Sequence, residues 1–180
     1  MWNYKEFKTN ISTDGDDLKK GLFFLFAIIF LFSGCKKEIT VNNYFSAKVF
    51  ISNSDFSGKG DFCRNSDGDI SLKITSPENL KGYTYKVKNN SVKMTFQGLN
   101  CTYDISKFNN KAPIKIMKNV LDEFDNSKSL LQDKGEFYQM KIDDYVLKVN
   151  KNGFVDSISN SDIHITFVSG KAIPQKVSNS

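Results

Sequence analysis

The chain has 180 residues, with 25 Lys+Arg against 20 Asp+Glu, one histidine and three cysteines, for a net charge of +5. The positive charge is spread evenly along the sequence and is almost all lysine, with Arg64 the sole arginine. That composition argues against bidentate reading of phosphates or base edges, and so against nucleic acid as a partner. One histidine cannot complete a usual metal ligand set, so neither a metal nor a cofactor is expected.

Residues 1–17 are polar and include Asp14, Asp16 and Asp17, which is out of keeping with the basic segment that follows. This places the expected start of translation at Leu18. Lys19 and Lys20 then precede the unbroken apolar run from Leu22 to Phe32, followed by Ser33, Gly34 and Cys35. A basic flank, an apolar run and small residues form the order of a secretory signal. As a helix the run would span about 16 Å, at roughly 1.5 Å per residue, too little for a hydrocarbon layer of about 30 Å.

The end of that run, Leu31-Phe32-Ser33-Gly34-Cys35, resembles the lipobox of bacterial lipoproteins. The resemblance implies a diacylglyceryl group on the Cys35 sulfur and cleavage before it. Two or more acyl chains hold a protein stably to a bilayer, where one holds it only marginally. The expected organisation is a signal peptide over residues 1–34, a lipidated tether over 35–43, a domain over 44–168 and a polar tail over 169–180. The expected location is the extracytoplasmic side of the cell membrane, with the membrane as partner through Cys35.

Beyond the tether the chain alternates. Phe45, Ala47, Val49 and Ile51 share one face, with Ser46, Lys48 and Ser52 on the other, as in a strand buried on one side. Ser57 to Asn65 reads as a weaker strand. Ser66-Asp67-Gly68-Asp69 reads as a turn, not a calcium loop, because no glutamate stands where that loop needs one. Ile70, Leu72 and Ile74 alternate again, and Pro77 then breaks the pattern, since proline cannot join a ladder. Tyr83 to Val87, Val92 to Phe96 and Leu99 to Tyr103 continue as a meander with turns at Asn89-Asn90 and Gly98.

At Pro113 the period changes. Ile114, Met117, Val120, Leu121 and Phe124 recur at helical spacing, which predicts one amphipathic helix near 113–125. Strand patterns return over 137–142, 145–149, 154–159 and 163–168. The fold class is therefore α+β: a mostly antiparallel sheet of about nine strands forming an unclosed barrel, covered by one helix. For Cys63 and Cys101 two outcomes are open, a mutual disulfide or thiols buried within their strands.

No constellation points to catalysis. His164 lies between Ile163 and Ile165 and faces away from both, as a sheet-face residue does. Asp122-Glu123 and Asp143-Asp144 are adjacent acids, which point apart in a helix or strand and do not face one substrate. No nucleophile elbow, phosphate-cradling glycine loop or zinc spacing is present. An enzyme is not expected.

The proline segment Leu72-Lys73-Ile74-Thr75-Ser76-Pro77-Glu78-Asn79-Leu80 between strands, followed by paired strands, one helix and a final antiparallel set, resembles the LolA/LolB-like lipoprotein-carrier fold. The resemblance spans residues 44 to 168. It implies an unclosed antiparallel barrel whose apolar hollow is covered by helix and holds acyl chains. It also implies arginine chemistry inside the hollow, to which Arg64 is not assigned. If the domain is hollow, Val49, Ile51, Leu72, Ile74, Met94 and Phe96 form its walls and Met117, Leu121 and Phe124 its cover. Phe50 and Tyr85 are the aromatics expected to be exposed or to line a pocket. The expected role is non-catalytic binding of a lipid or other hydrophobic small molecule. The alternative is a structural or protein-interaction module at the cell surface.

Overall fold

A computed structural model describes residues 40–54 and 56–172. The signal, Cys35 and most of the tether lie outside the described residues, as does the tail beyond Ala172.

Among the described residues eleven strands form one sheet: β1 (Phe45–Asn53), β2 (Ser57–Arg64), β3 (Ile70–Ser76), β4 (Thr84–Lys88), β5 (Ser91–Phe96), β6 (Leu99–Asp104), β7 (Gln132–Asp133), β8 (Phe137–Ile142), β9 (Tyr145–Asn150), β10 (Val155–Ser159) and β11 (Ile163–Ala172). Among the described residues one α-helix, α1 (Pro113–Ser127), stands between β6 and β7. The expected class of mostly antiparallel sheet with one helix holds, with eleven strands instead of about nine. β7 has two residues, too few for a period to register. β11 runs to Ala172, so residues 169–172, expected in the loose tail, are strand, with Lys171 and Ala172 paired to Ser46 and Phe45 beyond a register shift.

The strand order is β6-β5-β4-β3-β2-β1-β11-β10-β9-β8-β7, with every neighbouring pair antiparallel. The first and last strands pair in the middle, so β6 and β7 are the two edges. The segment joining those edges carries α1. Laid flat, eleven strands at about 4.8 Å would span roughly 50 Å, far beyond the roughly 10 Å width of one helix. Yet Ile70, Val87 and Val92 on one side and Leu147, Val149 and Ile158 on the other are all buried. The sheet therefore curls, with α1 set into the concavity.

Opposed residues share a face. Phe62, Leu72, Tyr85, Met94 and Cys101 form one row on the concave side, and Cys63, Ser71, Lys86, Lys93 and Thr102 the adjoining row on the convex side. Phe45, Phe62 and Phe167 meet at the centre with ring centroids 5.2–5.6 Å apart. Against them α1 buries Ile114, Ile116, Met117, Val120, Leu121 and Phe124. Each such side chain contributes about 1.5–3 kcal/mol on burial, so the helix is held by packing.

These rows also decide the cysteines. Cys63 and Cys101 are free. They point to opposite faces and sit four strands apart, about 19 Å, well beyond the roughly 7 Å that a disulfide spans. The two are separate thiols, Cys63 half-buried and Cys101 exposed, so neither the disulfide nor a pair of buried thiols is formed, and burial raises the Cys63 thiol above its ordinary value.

At the entrance to the domain, Asn42 N–H donates to the Gly153 carbonyl at 2.8 Å. Gly153 has φ +81°, and a β-carbon there would collide with the Thr40 carbonyl. Only glycine lets the incoming chain lie against the β9–β10 turn.

Candidate functional site

The concavity is filled at one end of α1 and open at the other. Val49, Met117, Leu121 and Phe124 are 0–1% exposed and form packed core, not the walls and cover of a hollow. The reason is that α1 sits down between the strands, where its apolar stripe displaces the space a deeper cavity would need. Beyond the first turn of α1 the packing stops, leaving an apolar crevice of ≈ 310 Å³. That volume lies at the small end of the range for ligand sites.

Ile51, Leu72 and Ile74, three of the expected wall residues, do line the crevice, together with Tyr85. The other wall is built by Tyr83, expected in a strand but standing just before β4, and by Phe56, Leu80, Phe108 and Ile114, which no strand period marks. Their placement has local causes. Gly82 N–H donates to the Ile74 carbonyl at 2.9 Å and Ile74 N–H to the Tyr83 carbonyl at 2.8 Å, folding the segment after Pro77 back onto β3. That fold brings Leu80 and Tyr83 over the opening. Phe56 lies on Gly58, where any β-carbon would strike its ring.

An apolar shelf extends from the crevice towards edge strand β6. Tyr83 stacks on Phe96 at 3.9 Å between centroids and 5° between planes, and Phe108 meets Tyr103 edge-on at 6.5 Å. Met94 and Phe96, expected as hollow walls, are half-buried on this side of the sheet and do not line the crevice. Leu99 and Tyr103 are 76% and 51% exposed. Burial, then the charges of Tyr83 and Cys101, raise the Tyr85 phenol above its ordinary value, so it enters the crevice uncharged at neutral pH.

The opposite end of α1 is charged and closed. Arg64 shares the inward face with Phe45 and Ile70, and its side chain is 2% exposed. Its Nη2 donates to Asp122 Oδ1 at 2.9 Å, and its Nη1 lies 2.7 Å from Asp125 Oδ2. Lys118 pairs with the other oxygen of Asp122. Arg64 Nε has no hydrogen-bond partner among the described residues. The register places Arg64 in the concave interior, a position that the sequence pattern alone does not assign to it.

Along the other flank of α1 run two wider polar grooves, of ≈ 650 and ≈ 730 Å³. His164, Lys111, Asp144 and Asp162 border the first, and Asn119, Glu123, Asn126 and Asp143 the second. His164 is exposed, on the convex face opposite Ser52. Lys111 pairs with Asp162 at 2.6 Å, which holds that carboxyl below its ordinary value. Asp122 is occupied by Arg64 and Lys118, so the Asp122-Glu123 pair does not act as two facing carboxylates. These grooves are lined by solvated and mutually paired groups, whereas the crevice is the apolar concavity that ligand sites favour.

No protein-family model matches the chain. No curated protein matches it either. Among solved structures the chain is similar to the crystal structure of a LolA superfamily protein from Nitrosomonas europaea. The two share 10% identity over 76% of this chain and 89% of that one, with a TM-score of 0.41.

Proposed function

We propose that this protein is a lipoprotein anchored through Cys35 on the extracytoplasmic side of the membrane, and that its domain binds a lipid or other hydrophobic molecule without catalysis. The observation that carries the binding role is the ≈ 310 Å³ crevice between α1, β1 and β3, walled by aliphatic and aromatic side chains. Its size suits one apolar chain or a small ring system. Each methylene removed from water contributes about 0.8 kcal/mol, or about fourfold in affinity. Displacement of a fluorescent fatty acid by a series of saturated acids tests this. Affinity should rise about fourfold per carbon until the crevice is full, then level off. Leu80→Asp puts a charge at the half-buried rim and should weaken every member of the series at least tenfold. Binding that is indifferent to chain length and to Leu80→Asp refutes the role.

The anchor has its own test. Cys35→Ala should abolish acyl incorporation and release the protein from membranes, and unchanged retention without acyl label refutes the lipoprotein reading.

One observation favours the second reading, an interaction module. β6 is a six-residue edge strand exposed along its whole length, with Leu99 and Tyr103 on its concave side. Such edges accept added strands. If this is its role, Leu99→Lys should abolish partner or self-association while leaving fatty-acid binding unchanged.

A further inference from the structure

The convex face of the sheet carries a charge pattern that neither the crevice nor the α1 contacts use. Strand alternation sends Lys59, Lys73, Lys86, Lys88 and Lys93 outward from β2 to β5, and all five are exposed. Lys86 and Lys93 are direct cross-strand partners, an arrangement of like charges that costs sheet stability. Among the described residues, the one carboxylate on the outer face of these four strands is Asp61, and Lys48 holds it at 2.6 Å. Lys73, Lys86, Lys88 and Lys93 form no ion pair with described residues. Asp122, Asp143, Asp144 and Asp162 instead border the grooves beside α1. The modest net charge therefore conceals a basic patch on the outer face of β2–β5, whereas Asp122 and Asp162 beside α1 are paired with Arg64, Lys118 and Lys111.

We propose that the convex face of β2–β5 docks on an anionic membrane surface. Charge complementarity selects an anionic partner. The chemistry of the cations selects among them, since lysines are compact point charges suited to a diffuse layer of headgroups, whereas defined phosphate or base-edge contacts favour arginine. The surface is an open sheet face and not a groove that would track a strand of nucleic acid. Position agrees. Phe45, Arg64, Ile70, Val87 and Val92 are successive cross-strand partners, so Lys86, Lys88 and Lys93 lie at the end of the sheet where the chain enters. Cys35 precedes Thr40, the first described residue, by five positions in the sequence. This argument from position rests on the proposed anchor; the argument from charge does not. Acyl chain and basic patch together make the two-signal attachment that holds a protein firmly at a surface.

The test is an amine-acylation footprint of the full-length protein on vesicles of phosphatidylglycerol and phosphatidylcholine, compared with phosphatidylcholine alone. Labelling of Lys73, Lys86 and Lys93 should fall about fivefold on the anionic vesicles, in line with the attraction expected for a lysine near such a surface. Lys111, Lys134 and Lys141 should be unaffected. The protection should vanish near 1 M salt, where screening acts over about 3 Å. In a Lys73→Ser/Lys86→Ser/Lys93→Ser variant, the remaining Lys59 and Lys88 should lose their protection. Equal labelling on both vesicle types, or equal protection at Lys111 and Lys134, overturns the proposal. Protection by a soluble oligonucleotide with none on vesicles also overturns it, reassigning the face to a free polyanion. In Cys35→Ala the pattern on anionic vesicles should persist, so failure of the anchor and failure of the docking face are read separately.

Discussion

The two ends of α1 are held by different physics. At the C-terminal end a buried guanidinium binds two carboxylates, and Leu121 and Phe124 beside them are fully packed. At the N-terminal end Ala112 offers no side-chain cap, Pro113 opens the first turn, and Ile114 faces the crevice. One polar restraint there is Lys115 Nζ, which donates to the Phe108 carbonyl at 3.0 Å. The helix is thus held by ion pairs and packing at the end away from the candidate site, and at the end beside it by the burial of Ile114 and Ile116 with the Lys115 hydrogen bond.

The sharpest way to break this comparison is at the pinned end. Asp122→Asn with Asp125→Asn strands Arg64 in the interior and should cost about 3–5 kcal/mol, read from the urea midpoint. A loss below about 1 kcal/mol would mean that Arg64 finds water and pins nothing. Leu121→Ala, in the packed section, should cost about 3 kcal/mol, whereas Ile114→Ala should cost about 2, because its void merges with an existing crevice. Equal losses would erase the difference between the ends.

Ala112→Ser supplies the missing cap at a backbone conformation already suited to it, φ −67° and ψ 123°. It should add about 0.5–1 kcal/mol, slow amide exchange in the first turn and slow ligand entry. The smallest effect concerns the rim of the polar groove. Asp162 is held below its ordinary pKa by its hydrogen bonds from Lys111, then Ser161. A depressed carboxyl contributes stability above its unfolded value and loses it as pH falls through the folded one. Asp162→Asn should therefore lower stability slightly at neutral pH and leave it unchanged at the acid end, where Asp162 is already protonated, so that the acid limb of the stability profile flattens.

The strands were legible because one face of the sheet is buried, so that Phe45, Ala47, Val49 and Ile51 alternate visibly with polar neighbours. The helix was legible from its stripe, and the structure buries all five of the residues that marked it, adding Ile116. The crevice was legible only in part. Ile51, Leu72 and Ile74 follow strand parity, but Phe56, Leu80 and Phe108 stand in turns, where no period operates. Their one signal was that each is a large apolar side chain isolated among polar residues. Arg64 shares parity with Phe62, which places it inward, yet its carboxylates lie 58 and 61 positions further along, a pairing that local patterning cannot reveal. Charge that is evenly spread along the sequence becomes segregated in space for a similar reason: alternation sorts Lys73, Lys86 and Lys93 to one face, while the turns gather Asp143, Asp144 and Asp162 on another side.

The central claim is that the space left at the uncapped end of α1 is a binding site for a hydrophobic molecule. Native mass spectrometry of the full-length protein released gently from membranes measures this directly. The account predicts one apolar molecule bound per chain in the wild type and its loss in Leu80→Asp with the fold intact. A wild-type protein that is always empty, or a ligand carried equally by Leu80→Asp, would contradict it.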